Sequence, residues 1–144
     1  MSDYTNFKSS FVIGAICWFV NPKISSLDPH PHVFIGTKGD NSVFLFCGTS
    51  QFEKKKRYFE LNDISFETMV RVQANETNTI TKDTYLNCNE AQEHKIMDLY
   101  LNGSFSFKGT VSESELYQIR NAISLSELME QEIQSEILTN FPIV

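Results

Sequence analysis

The groups best suited to proton transfer in this chain stand two residues apart, His30 and His32, in the run Asp28-Pro29-His30-Pro31-His32. Imidazole titrates near neutral pH, so it can take or return a proton during a reaction. Pro29 and Pro31 hold the run extended, and residues two apart in an extended chain project to the same side. Both rings can therefore meet one pocket. Hydroxyls follow at Thr49-Ser50-Gln51, and preorganised O–H donors can stabilise charge building up on a phosphate oxygen. A compact basic cluster, Lys54, Lys55, Lys56 and Arg57, comes next, with Phe52, Tyr58 and Phe59 as stacking faces. Each feature also has a plain structural role. A His-Pro-His step shapes a strand entrance, Gly-Thr-Ser-Gln is a common strand-ending turn, and charge runs are usually solvated. Nothing ties His94, the third histidine, to the His30/His32 pair, and no CxxC occurs. Neither a metal site nor a cofactor is expected on that basis.

Positioning these groups falls to the stretch Gly14–Gln51. Three apolar runs, Ala15–Val20, His32–Ile35 and Val43–Cys47, are separated by Asn-Pro, Asp-Pro and Gly-Asp-Asn clusters. Short strands bounded by such turn formers predict an antiparallel meander. It brings a strand entrance, at His30, beside a neighbouring strand exit, at Thr49. After it, Tyr58–Leu61, Glu67–Gln73 and Thr79–Cys88 are expected as further strands and Glu90–Lys95 as a short helical turn. Asn102-Gly103, between Leu99–Leu101 and Ser104–Lys108, signals a hairpin. Ser112-Glu113-Ser114-Glu115 is a capping box opening a helix with Leu116, Ile119 and Ile123 on one stripe. Ser124-Leu125-Ser126-Glu127 repeats the device and predicts a break near Ser124. The helical region spans about residues 112–138, and Met1–Ser10 reads as a loose polar lead-in.

The arrangement resembles the MazF/PemK family of toxin–antitoxin ribonucleases. The family's opening glycine and apolar strand correspond to Gly14-Ala15-Ile16-Cys17-Trp18-Phe19-Val20. Its Arg-Pro pair heading a second strand falls on His30-Pro31-His32-Val33-Phe34-Ile35, and its Thr-Ser strand end on Cys47-Gly48-Thr49-Ser50. A late glycine and a serine-initiated helix match Gly109–Ile123, whereas Phe52–Leu101 corresponds only loosely. The resemblance implies a small SH3-like antiparallel barrel with C-terminal helices. It further implies a homodimer with an RNA groove partly at the dimer interface, and a cognate antitoxin whose segment occupies that groove. The implied activity is metal-independent cleavage of single-stranded RNA through the substrate's own 2′-OH, leaving a 2′,3′-cyclic phosphate. On this reading His30 moves a proton, Thr49 and Ser50 stabilise phosphate, and His32, Gln51 and Lys54–Arg57 bind RNA. One departure stands out: imidazole replaces the family's arginine, and its charge is weaker and pH-dependent.

Composition bounds these readings. A chain of 144 residues with twelve phenylalanines has material for one domain with a real core. Aromatic and β-branched residues dominate before Gly109, and Glu, Leu, Ile, Ser and Gln after it, so the expected class is α+β, mainly β. Cys17, Cys47 and Cys88 are odd in number and widely spaced, which fits a reducing compartment. Phe11–Val20 mimics a signal-peptide core but lacks a cleavage pattern, and no run reaches membrane-span length. A cytoplasmic protein without a membrane partner is expected. The net charge of −6 disfavours broad nucleic-acid binding, leaving a local basic groove as the route to RNA. It also supports an alternative, a catalytically inactive barrel serving as a protein-binding or regulatory module of a phage or mobile element.

Overall fold

The computed structural model describes residues 3–74 and 80–142. The meander forms as the turn signals require, from β1 (Ala15–Phe19), β2 (His30–Lys38) and β3 (Ser42–Thr49). The two connections are antiparallel, with Ile16 opposite Val33 and Cys17 opposite His32, then His32 opposite Cys47 and Val33 opposite Phe46. β3 is the pivot of the sheet. Its C-terminal end pairs with β5 (Thr84–Asn87) and its N-terminal half with β6 (Gln92–Lys95). β4 (Met69–Val72) continues the sheet beyond β5, and β7 (Ser106–Thr110) joins the far side of β1, giving the order β4-β5-β3-β2-β1-β7. Register shifts between Phe34 and Gly36, and between Ala15 and Cys17, break the regular ladder. Such bulges bend strands, and the result is a curled, half-barrel antiparallel sheet with helices, an α+β fold that is mainly β.

Strand alternation splits the apolar residues between two faces, and both are covered. Ile16, Val33, Ile35, Phe44, Phe46 and Leu86 pack with Ile119, Ile123 and Ile137 of α4 (Glu113–Leu125) and α5 (Gln131–Asn140). Ala15, Cys17, Phe19, Phe34, Val43 and Leu45 pack on the other side with Ile96 and Leu99 of α3 (Ile96–Tyr100). Phe7, Phe11, Phe105 and Phe107 close that second face through edge-on ring contacts 5.0–6.1 Å apart. Runs buried on both faces cannot alternate apolar with polar, which is why these strands read as continuous apolar blocks.

The capping box at Ser112 is present. Ser112 Oγ accepts from the Glu115 N–H at 3.1 Å, and Glu115 Oε1 accepts from the Ser112 N–H at 2.9 Å. Glu115 Oε2 also accepts from the Gln73 N–H at 2.7 Å, tying the helix start to the end of β4. The second helix begins at Gln131 rather than after Ser124. Ser124 Oγ is spent on the Asn121 carbonyl inside α4. Ser126 Oγ instead donates to Asn89 Oδ1 at 2.6 Å and accepts from the Met129 N–H, so the chain turns there.

Other expectations change. Tyr58–Leu61 is not a strand but the end of α2 (Phe52–Leu61). Good helix formers fill this segment, and Glu53/Arg57 and Lys56/Glu60 are opposite charges four residues apart. Glu90–Lys95 is not a helical turn, since Gln92–Lys95 pairs with Ser42–Leu45 and inserts His94 beside Val43. The Asn102-Gly103 hairpin is absent because Leu99 lies in α3, where it and Ile96 are buried one turn apart. Asn102 closes that helix, and Ser106–Thr110 pairs with β1 instead. Asp3–Ser9, in the expected lead-in, is helix α1, packed through Tyr4 and Phe7. Met69–Val72 and Thr84–Asn87 fall inside the two expected middle strands, though Thr79 lies outside the described residues.

Candidate functional site

The entrance of β2 and the exit of β3 do meet. A cavity of about 200 Å³ is lined by His30, Thr49, Ser50 and Gln51, together with Trp18, Lys82 and Thr84. A second cavity of about 260 Å³ adjoins it through Thr49 and Gln51 and adds Lys54, Lys55 and Tyr58. The close approach depends on Gly48. A Cβ there would lie 2.3 Å from Thr84 Cγ2 and 3.2 Å from the Pro31 carbonyl oxygen. Only a residue without a side chain lets β3 run this near to β2 and β5 at the groove floor.

Two polar atoms of this groove are enclosed and unpaired among the described residues, Trp18 Nε1 and His30 Nε2. A buried donor or acceptor left without a partner costs about 1–3 kcal/mol. Both belong to residues that line this groove, so its wall carries hydrogen-bonding capacity that the protein does not use. Thr49 Oγ1 already accepts from the Gln51 N–H at 3.1 Å, a local turn bond that orients the hydroxyl and leaves its own hydrogen to donate.

His32 has a different fate. It is wholly buried and stacks on Phe19 with ring centroids 4.1 Å apart. Its Nδ1–H donates to the His30 carbonyl at 2.8 Å, and its Nε2 accepts from Asn21 Nδ2 at 3.0 Å. The amide orientation is fixed because Asn21 Oδ1 accepts from the Lys23 N–H. Asn21 Nδ2 also donates to Gln92 Oε1 at 2.7 Å, which accepts in turn from His94 Nε2 at 3.1 Å. Burial pushes the His32 imidazole down to about 3 and that of His94 to about 4, so both are neutral at physiological pH. The two histidines of β2 therefore do not share a pocket. His32 braces the backbone of His30 from behind.

The basic cluster divides around α2. Lys54 and Lys55 face the groove, whereas Lys56 lines a separate pocket on the other side of the helix and Arg57 is exposed. Two groove residues escaped the sequence reading. Trp18 reads as core by strand context, and Lys82 sits in a polar stretch with no pattern to distinguish it. Among the cysteines, burial raises Cys17 and Cys88 far above the ordinary thiol range. Cys47 is raised to about 11 by burial, partly offset by Lys55. None is poised as a thiolate nucleophile. Among the described residues no group of three His, Cys, Asp or Glu side chains is placed to hold a metal ion, and no helix is long and apolar enough to cross a membrane.

The site thus combines one imidazole, the hydroxyls of Thr49, Ser50 and Thr84, three lysines and two aromatic side chains at the end of a curled sheet. No protein-family model and no curated protein sequence matches the chain.

Proposed function

We propose that the protein is a metal-independent endoribonuclease that cuts single-stranded RNA in the groove between the β2 entrance and the β3 exit, on an SH3-like barrel. The observation that carries this reading is the convergence of His30, Thr49, Ser50 and Lys82 in one cavity, with Lys54 and Lys55 adjoining it. His30 takes the proton from the 2′-OH as that oxygen attacks the adjacent phosphorus. The 5′-oxygen leaves, taking a proton from solvent, and the product carries a 2′,3′-cyclic phosphate. Thr49 and Ser50 hydroxyls and the Lys82 ammonium face the charge that grows on the non-bridging oxygens. Lys54 and Lys55 hold the flanking backbone. Following the resemblance drawn from the sequence, the protein would be the toxin of a toxin–antitoxin pair, acting as a homodimer that its antitoxin occludes.

The test is incubation of purified protein with a long single-stranded RNA in EDTA, followed by mapping of the product ends. Discrete cuts with cyclic-phosphate ends, lost in His30→Ala, support the reading. Intact RNA from folded, partner-free protein overturns it. A non-enzymatic binding module is the second reading, favoured by the net charge of −6, which opposes broad binding to RNA.

A further inference from the structure

We propose that the pocket on the opposite side of α2 is a nucleobase subsite for the same RNA strand, an inference that rests on the reading of the groove as an RNA site. The pocket encloses about 290 Å³ between α2, β4 and β5, with Phe52, Phe66, Met69 and Tyr85 as its apolar walls and Lys56 and Arg71 beside them. Phe52 and Tyr85 meet at a centroid distance of 4.8 Å with their planes tilted by 41°. Phe52 is 37% exposed and Phe66 49%. Three aromatic side chains are thus left partly open to solvent where they could have been covered. Arg71 reaches Asp83 only at 3.9 Å, and its side chain is half exposed, so its guanidinium remains available to a second anion.

Continuity with the groove selects the occupant. Tyr85 stands directly opposite Thr49 across the β5–β3 pair, a separation of about 5 Å between Cβ atoms. Phe52 follows Gln51 in the chain, so one short segment carries residues of both sites. A strand with a phosphate at Thr49 has a neighbouring base within reach of the Phe52–Tyr85 wall and a neighbouring phosphate within reach of Lys56 or Arg71. Aromatic walls with cations beside them fit a flat, anionic polymer, because every base has a π-face and every nucleotide a phosphate. A hydrophobic peptide would need no cations beside the aromatic wall.

The experiment uses the full chain and short, mixed-sequence, 2′-O-methylated single-stranded oligonucleotides containing iodouridine, which bind but cannot be cleaved. Photo-crosslinks mapped by mass spectrometry should fall on Phe52, Phe66 or Tyr85. Phe52→Leu, which keeps an apolar side chain but removes the stacking face, should weaken binding about tenfold, and Phe52→Tyr should restore it. Crosslinks confined to Trp18 or Tyr58, with Phe52→Leu binding like the wild type, would overturn the subsite while RNA cleavage still stood. Absence of both oligonucleotide binding and RNA cleavage would overturn the subsite and the ribonuclease reading together. Capture of an acidic, aromatic-bearing peptide in a manner lost in Phe52→Leu, without any effect of that variant on oligonucleotides, would reassign the pocket to a protein partner.

Discussion

His30 and His32 occupy the same strand with the same parity, one opposite Phe19 and the other opposite Cys17, yet their surroundings are opposed. Every bonding capacity of the His32 ring is used: one nitrogen donates to a carbonyl, the other accepts from an amide, and a face lies on Phe19. The His30 ring lines a cavity with an unpaired nitrogen. A satisfied buried imidazole contributes to stability, whereas an unsatisfied one costs stability. The difference teaches that residue type and spacing nominate candidates, and that unspent hydrogen-bonding capacity separates them.

The largest effect expected from this contrast is on activity. His30→Ala should slow RNA cleavage about a hundredfold or more, with a thermal midpoint within about 2 °C of the wild type. Equal loss of cleavage in His32→Ala at unchanged stability would break the comparison. His32→Ala should instead lower the free energy of unfolding by about 3 kcal/mol in urea titrations, since it strips Asn21 Nδ2 and the His30 carbonyl of a buried partner and empties the Phe19 stack.

Acid sharpens the same contrast. His32 and His94 are neutral in the fold down to about pH 3 and 4, but in the unfolded chain they protonate below about pH 6.5. Their contribution is therefore complete above pH 6.5 and is lost as the pH falls toward their folded values. Between about pH 6 and 5 each should add a slope of about 1 kcal/mol per pH unit to stability. Urea midpoints followed through this range should show that slope roughly halved in His32→Ala. An unchanged slope would mean that other groups carry the acid response.

The smallest effect concerns the floor that brings the groove together. Gly48→Ala should cost about 2 kcal/mol through its contact with Thr84 Cγ2. Adding Thr84→Ser, which removes that methyl group, should recover most of the loss. Failure of the second substitution would place the strain at the Pro31 carbonyl instead.

Much of this was readable from the residues. The turn clusters marked the three strands of the meander, their order brought His30 to Thr49 and Ser50, and Ser112-x-x-Glu115 announced α4. Lys54 and Lys55 reached the groove as well. Two of the misreadings share a cause, because those elements took their conformation from a distant partner, and the third is local. Gln92–Lys95 is too polar to look like a strand and becomes one only because the open edge of β3 accepts it. Leu99 looked like half of a hairpin, but packing under the sheet makes it one turn of a helix. Tyr58-Phe59-Glu60-Leu61 has β-prone residues, yet only Phe59 is buried, and one anchor on a charged segment suits a helix.

Local grammar was the part that the residues alone fixed: where the three strands of the meander lie, that Ser112 caps α4, and that the His30 and Thr49 ends of two strands meet. These follow from proline geometry, side-chain capping and alternation, all of which act over a few residues. Tertiary structure alone decided that two histidines of one strand would part company. Phe19 and Asn21 come from the end of β1 and Gln92 from β6, and only their convergence on His32 removes it from water while His30 stays at the groove.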